Sequence, residues 1–256
     1  MIKLLRRIRQ QKITENKVGR YVLYAFGEII LVVIGILIAL QINNLNDQKK
    51  NSEAELVYYS RILDDFNLDK KSIEELIEKA NTRIRISKEL LLELDSGRES
   101  KYDILNKFLL ALRSDAYVPR NVTFKDLISS GNLKLLNDVK IKNSLIQYYS
   151  ELENKQSQLK QNRDEKVDES FKLVNSSIDF GISEFDYVNQ LLGTEILEIL
   201  PKNDWTKDKN SENYANFQLM LVFNISMADR EKQHLMAINN FMETPYQLLL
   251  ENVKNQ

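Results

Sequence analysis

Between Tyr21 and Ile42 the chain reads YVLYAFGEIILVVIGILIALQI, and apart from Glu28 every residue up to Leu40 is apolar, aromatic or glycine. A helix over these residues rises about 33 Å, enough to cross a hydrocarbon core of about 30 Å. The run is longer than the roughly 7–15 apolar residues of a cleaved signal peptide, and ALQINN offers no small-residue cleavage pattern. It therefore reads as an uncleaved signal anchor rather than the buried helix of a soluble protein. Nothing breaks the pattern after it, because NNLNDQKKNSEAEL contains neither Gly nor Pro.

From Leu56 the period changes from solid to striped. Leu56, Tyr59, Leu63, Phe66, Lys70, Ile73, Ile77, Ala80, Ile84, Ser87, Leu91 and Leu94 follow one another at spacings of three and four. That spacing predicts one long amphipathic helix ending at Ser96-Gly97. Ile62, Leu68, Leu76, Leu90 and Leu92 widen its apolar face, which favours a bundle core over a two-stranded coiled coil. A second helix fits residues 101–113, with Pro119 closing its loop. Asn121 or Thr123 can cap a short helix through Ile128, which Gly131 ends in the left-handed conformation.

Asn137 or Asp138 then caps a long helix to about Ser176, with Ile141, Leu145, Tyr148, Tyr149 and Leu152 as core positions. Between Glu153 and Lys166 the only apolar residue is Leu159. This tract is expected to be a solvated helix or a polar surface that meets a partner. Residues 177–210, which hold the only Trp, Trp205, read as short helices and loops capping a bundle. A last helix over residues 211–254 carries Tyr214, Phe217, Leu221, Ile225, Met236, Ile238 and Phe241, with a kink near Pro245.

Composition supports the helical reading. The chain has 7 Gly and 3 Pro, far below the usual share of about 12%, and all-β folds need turn residues every few positions. Cysteine is absent, so disulfides, thiolate metal sites and cysteine nucleophiles are excluded. Charge adds an orientation. Residues 1–20 hold seven bases (Lys3, Arg6, Arg7, Arg9, Lys12, Lys17, Arg20) and one acid, Glu15, whereas only Lys49 and Lys50 follow the span closely. That bias places the N-terminus in the cytoplasm and the body outside it. The basic cluster is short and abuts the apolar run, so it marks a membrane and not a nucleic acid. In MIKLLRRIRQ, Met1, Leu4, Leu5 and Ile8 share one face. The head is either a short amphipathic helix on anionic lipid or a tail that only sets topology.

Glu28 asks for a mechanism. At 100° per residue, Gly35 falls about −20° and Ala39 about +20° from Glu28. The carboxylate therefore shares a face with a small-xxx-small pair, which lets another helix approach closely. Ionisable residues within a span face protein or a water-filled cavity, since lipid exposure costs a few kcal/mol. Glu28, Gly35 and Ala39 are expected to pack against a partner helix. Glu28 is either a hydrogen-bonding packing residue or a proton-binding group of an ion-driven assembly.

Catalytic sets are missing from the sequence. His234 is the only histidine, so one chain cannot form a two-histidine metal site. Phosphate-cradling glycine loops, nucleophile elbows and calcium loops are all lacking. Glu231 and His234 form one Glu-x-x-His, but di-metal carboxylate bundles need two. The acid pairs Asp64-Asp65 and Glu74-Glu75 read as solvated surface. No catalytic residue, metal ligand or cofactor is expected.

The run GEIILVVIGILIALQINNLN (Gly27–Asn46), preceded by ENKVGRYVLYAF, resembles the N-terminal signature of an uncharacterised family of single-span membrane proteins of Bacteroidota. The stretch TFKDLISSGNLKLLND (Thr123–Asp138) resembles that family's second recurring segment. Leu45 stands where the family often has Trp. The resemblance implies anchoring and compartment, and that Glu28, Gln41, Asn43 and Asn44 belong to a shared pattern; it carries no activity.

The expectation is an all-α protein with a single N-terminal transmembrane helix followed by an elongated extracytoplasmic helical bundle. It divides into a basic amphipathic cytoplasmic head (1–20), a transmembrane helix (21–42) and a periplasmic bundle (43–256). The expected role is a non-enzymatic, membrane-anchored scaffold or interaction subunit of the cytoplasmic (inner) membrane. Its partners would be the lipid bilayer and a second copy or another membrane protein. The alternatives are an extracytoplasmic ligand sensor signalling through a partner and a subunit of an ion-driven assembly using Glu28.

Overall fold

The computed structural model describes residues 18–176 and 180–254, and every regular element among them is helical. The first helix, α1, runs from Val18 to Ser96. The chain forms two compact units that divide between Val57 and Tyr58.

In the first unit, every side chain from Phe26 to Lys50 is exposed. A folded protein does not leave so large an apolar surface in water, and this helix is long and apolar enough to cross a membrane. Just past the apolar run, Asn43 Nδ2 donates to Asp47 Oδ2 one turn on, at 3.1 Å. The amphipathic stretch MIKLLRRIRQ lies outside the described residues.

The second unit contains the rest of α1, then α2 (Lys101–Leu112), α3 (Val122–Ser129), α4 (Val139–Ser176), α5 (Asp186–Ile199) and α6 (Glu212–Lys254). Short 3-10 turns occupy Asn132–Leu135, Ile182–Glu184 and Trp205–Lys207. Side-chain contacts give the topology. Lys70 of α1 meets Glu243 at 3.0 Å and Arg83 meets Glu231 at 2.6 Å, so α6 runs antiparallel to α1. Asn162 of α4 bonds to Met227 and Ser170 to Met220, so α4 is antiparallel to α6.

The remaining leg is composite. α2 returns along α1, with Lys107 bridging Glu93 (2.6 Å) and Glu89 (3.0 Å). Residues 113–121 continue downward without helical structure. Asp115 meets Lys79 at 3.0 Å, and Arg120 meets Asp69 at 3.1 Å. Residues 79 to 69 of α1 span about 15 Å of helix, a distance that the five steps from 115 to 120 cover only in a nearly extended conformation, whose reach is about 17 Å. Pro119 favours that conformation by holding Val118 out of the helical region.

The core follows the predicted stripe with local shifts. Tyr59, Leu63, Phe66, Ile73, Ala80, Ser87 and Leu94 are buried, and Ile62, Leu76 and Leu90 widen the face. Leu68 and Leu92 do not; both are exposed. All five expected core positions of α4 are buried, and Asp138 caps it by accepting from the backbone of Lys140 and Ile141. At α3, Asn121 is the N-cap residue but makes no side-chain cap bond. Gly131 is left-handed (φ 71°) as expected, yet it opens the 3-10 turn, and Ser130 is the residue that ends α3.

On α6 the buried register is Tyr214, Phe217, Leu221, Asn224, Ala228, Leu235, Ile238, Met242, Pro245 and Leu249. Ile225 is half-buried, while Met236 and Phe241 fall outside that register and are exposed. The helix continues through Pro245.

The segment from Phe180 to Asp208 does form short helices and loops, around an aromatic cluster. Trp205 stacks on Phe180 at 5.5 Å and leans on Phe217 at 5.2 Å, and its Nε1 donates to the Phe180 carbonyl at 2.8 Å. Gly181 beside it has φ 103°, and a Cβ there would lie 2.7 Å from Lys101 Cε. The left-handed backbone favours glycine here, and a side chain would also displace the end of Lys101. α5 breaks at Gly193 and buries no side chain.

Candidate functional site

The polar tract of α4 is not a solvated projection. It packs along α6, and Asn162 and Lys166 are each only 4% exposed. Register explains this: Leu145, Leu152, Leu159 and Lys166 recur every seven residues, with Tyr148, Lys155 and Asn162 between them. The core stripe therefore continues past Leu152 in polar residues. Asn162 Nδ2 donates to the Met227 carbonyl at 3.0 Å. Lys166 Nζ donates to the carbonyls of Ala111 (3.3 Å) and Arg113 (3.2 Å) and to Ser114 Oγ (3.3 Å). Its ammonium thus caps the carbonyl end of α2, where a cation is favoured.

Here the extended leg replaces a helix about 10 Å wide, and the tract lines a cavity of about 480 Å³ between α1, residues 114–117, α4 and α6. Lys160, Arg163 and Lys166 come from α4, Asp115 from the extended leg and Glu231 from α6. Such a volume suits a small molecule. Glu231 Oε2 accepts from Arg83 Nη2 at 2.6 Å, and Arg83 Nη1 lies 3.9 Å from Asp115 Oδ2. Burial pushes the Glu231 carboxyl above its ordinary range, opposed by the Arg83 guanidinium. Burial, with Arg83 adding to it, pulls the Lys166 ammonium down to about 8. Desolvation here outweighs the attraction of Glu231.

One helical stretch below, Asp69 is 1% exposed and accepts from the backbone N–H of Arg120 with both oxygens at 3.1 Å, and from its Nη1 at 3.1 Å. Burial raises its carboxyl, and the Arg120 contacts oppose that. The Tyr117 hydroxyl is pushed well above its ordinary value by burial, then by Tyr148 and Asp69. This group ties the extended leg to α1.

Asp69, Arg83, Asp115 and Lys166 have no site reading in the sequence, and Glu231 enters there only as half of the Glu-x-x-His pair. A signal existed, since Asp69 and Arg83 sit three residues beyond Phe66 and Ala80 in the buried register. Glu231 and His234, the Glu-x-x-His pair, have separate surroundings: Glu231 belongs to Arg83, and His234 is half-buried. Burial, Lys155 and Arg230 all lower the His234 imidazole. Among the described residues, no group of three or more His, Cys, Asp or Glu side chains is placed to hold a metal ion.

Glu28, Gly35 and Ala39 lie on α1 in the first unit, all exposed. Helical geometry keeps them on one face, and a Cβ on Gly35 would meet nothing within 4 Å. They stand apart in sequence from the residues that line the cavity.

The structure defines a class: an all-helical bundle preceded by one helix apolar enough to span a membrane. A family model for a family of unknown function (DUF6090) matches residues 28–178, and the chain belongs to that family. The match begins at Glu28, includes Gly35 and Ala39, and takes in every wall of the cavity except α6. No curated protein and no solved structure matches the chain.

Proposed function

We propose that this protein is a membrane-anchored helical interaction subunit that acts by binding and not by catalysis. In this reading residues 21–42 cross the cytoplasmic membrane with the basic head inside and the bundle outside. The face of Glu28, Gly35 and Ala39 meets a helix of a second copy or of another membrane protein. The observation that carries it is the fully exposed apolar run from Phe26 onward, with a carboxylate beside its small residues. Lipid can solvate the leucines and isoleucines but not Glu28, whose exposure at that depth would cost about 3 kcal/mol. A close helix, admitted by Gly35 and Ala39, supplies hydrogen-bond partners instead.

Because the chain has no native cysteine, cysteines placed at positions 35 and 39 report the contact directly. Both crosslink within the membrane. Gly35→Leu abolishes assembly by pushing the partner helix away, while Glu28→Gln, which keeps size and hydrogen bonding, leaves it nearly intact. If neither position crosslinks and neither substitution changes assembly, the packing face is wrong.

Orientation has its own check. Alkaline phosphatase fused after residue 50 is active and a cytoplasmic reporter at the same point is silent, as the charge bias requires. The reverse pattern overturns the topology.

A further inference from the structure

We propose that the cavity between α1, the extended leg, α4 and α6 is a binding site for a small organic carboxylate. This goes beyond the membrane contact and does not depend on it. Both acids in the wall are already matched by bases outside it. Asp115 meets Lys79 at 3.0 Å and Glu231 meets Arg83 at 2.6 Å. The wall's three cations are not matched in this way. Among the described residues Lys166 donates only to uncharged oxygens, with Glu231 acting on it through space and without an ion pair. Among the described residues Arg163 pairs only with its chain neighbour Asp164, at 3.9 Å from Nε. Lys160 makes no ion pair among the described residues. The site therefore carries uncompensated positive charge in a partly desolvated space, where an anion is attracted more strongly than at an open surface.

The rest of the wall selects among anions. Leu76, Leu159 and Leu235 line the same cavity, and an inorganic ion would leave them wet. A short carbon chain fills that side while its carboxylate faces the bases. Arg163 and Lys160 supply the direct donors, Arg163 through its planar fork. Lys166, whose three N–H groups are committed to protein oxygens, contributes charge from the wall. Its low affinity for protons comes from burial and from Arg83, and a bound carboxylate opposes both.

The test uses the full chain in mild detergent with hexanoate, succinate and inorganic phosphate as probes. Amine acetylation at Lys166 is followed by mass spectrometry across pH, with exposed Lys172 as an internal control. Either carboxylate is expected to move the Lys166 midpoint up by about one unit, slowing its labelling at pH 8 about fivefold. Lys172 stays unchanged. Arg163→Gln, a half-exposed substitution, should weaken that effect about tenfold without shifting thermal unfolding in the absence of probe. A Lys166 midpoint unmoved by all three probes overturns the site. Phosphate acting as well as both carboxylates overturns the organic assignment, and an equal effect on Lys172 reduces the result to ionic strength and overturns it too.

Discussion

Arg83→Met destabilises the helical bundle by about 3–5 kcal/mol, read as a lower urea midpoint for the full chain in detergent. The side chains of Arg83 and Glu231 are 5% and 12% exposed, and they meet at 2.6 Å. Methionine keeps most of the buried stem and removes the charge. Glu231 is then left in a buried place beside Asp115, with its carboxyl already raised by desolvation and no guanidinium to oppose it. The loss comes from that orphaned charge more than from the pair itself. Arg83→Met combined with Glu231→Leu therefore recovers most of the stability, because apolar residues of similar size can replace a buried pair at little cost. The cycle also has a local readout. Arg83 helps to hold the Lys166 ammonium down, so the Lys166 labelling midpoint rises in Arg83→Met. A double variant no more stable than the single, or a single variant within about 0.5 kcal/mol of the parent, refutes this account.

That pair also shows where reading the sequence stops. The apolar run, the end of α1 at Ser96 and the core of α4 could be read because apolar residues recur there at helical spacing. Arg83, Asp69, Asn162, Lys166 and Glu231 occupy the same buried registers with polar groups, which an apolar period does not reveal. Arg83 pairs with a residue 148 positions away, and no local window contains both. The error has a counterpart in Leu68, Leu92, Met236 and Phe241, which are apolar but off the register and exposed. Residues 113–121 carry neither period, and Pro119 announced a loop but not that the loop would serve as a leg of the bundle. The cavity depends on that leg, so it was invisible for the same reason. Glu28, by contrast, was conspicuous because its neighbours are uniformly apolar, and residues 27–46 carried the family resemblance.

Trp205→Ala is the second large loss, about 3–5 kcal/mol, and it should unfasten the cap before the rest of the bundle. Trp205 is 1% exposed and is packed between Phe180, which precedes it in the cap, and Phe217 of α6. Phe217 in turn meets Phe108 of α2 at 4.8 Å. The indole thus connects a segment rich in short turns to two helices of the bundle. Apart from area it supplies one bond, Nε1 to the Phe180 carbonyl at 2.8 Å, next to the left-handed Gly181. Truncation to alanine leaves a cavity that the aromatic neighbours fill only partly. Trp205→Phe keeps a ring but strands the Phe180 carbonyl, costing about 1–3 kcal/mol. Since this is the only Trp, unfolding has to be followed by circular dichroism, and hydrogen exchange then localises the change. Amides of Phe185–Trp205 and the first turns of α6 lose protection in Trp205→Ala, while those around Tyr148 in α4 keep it. Uniform loss across the bundle would mean that cap and core unfold as one. An alanine variant within about 0.5 kcal/mol of the parent would mean that the cap is held by α5 or by Lys101 and not by the indole.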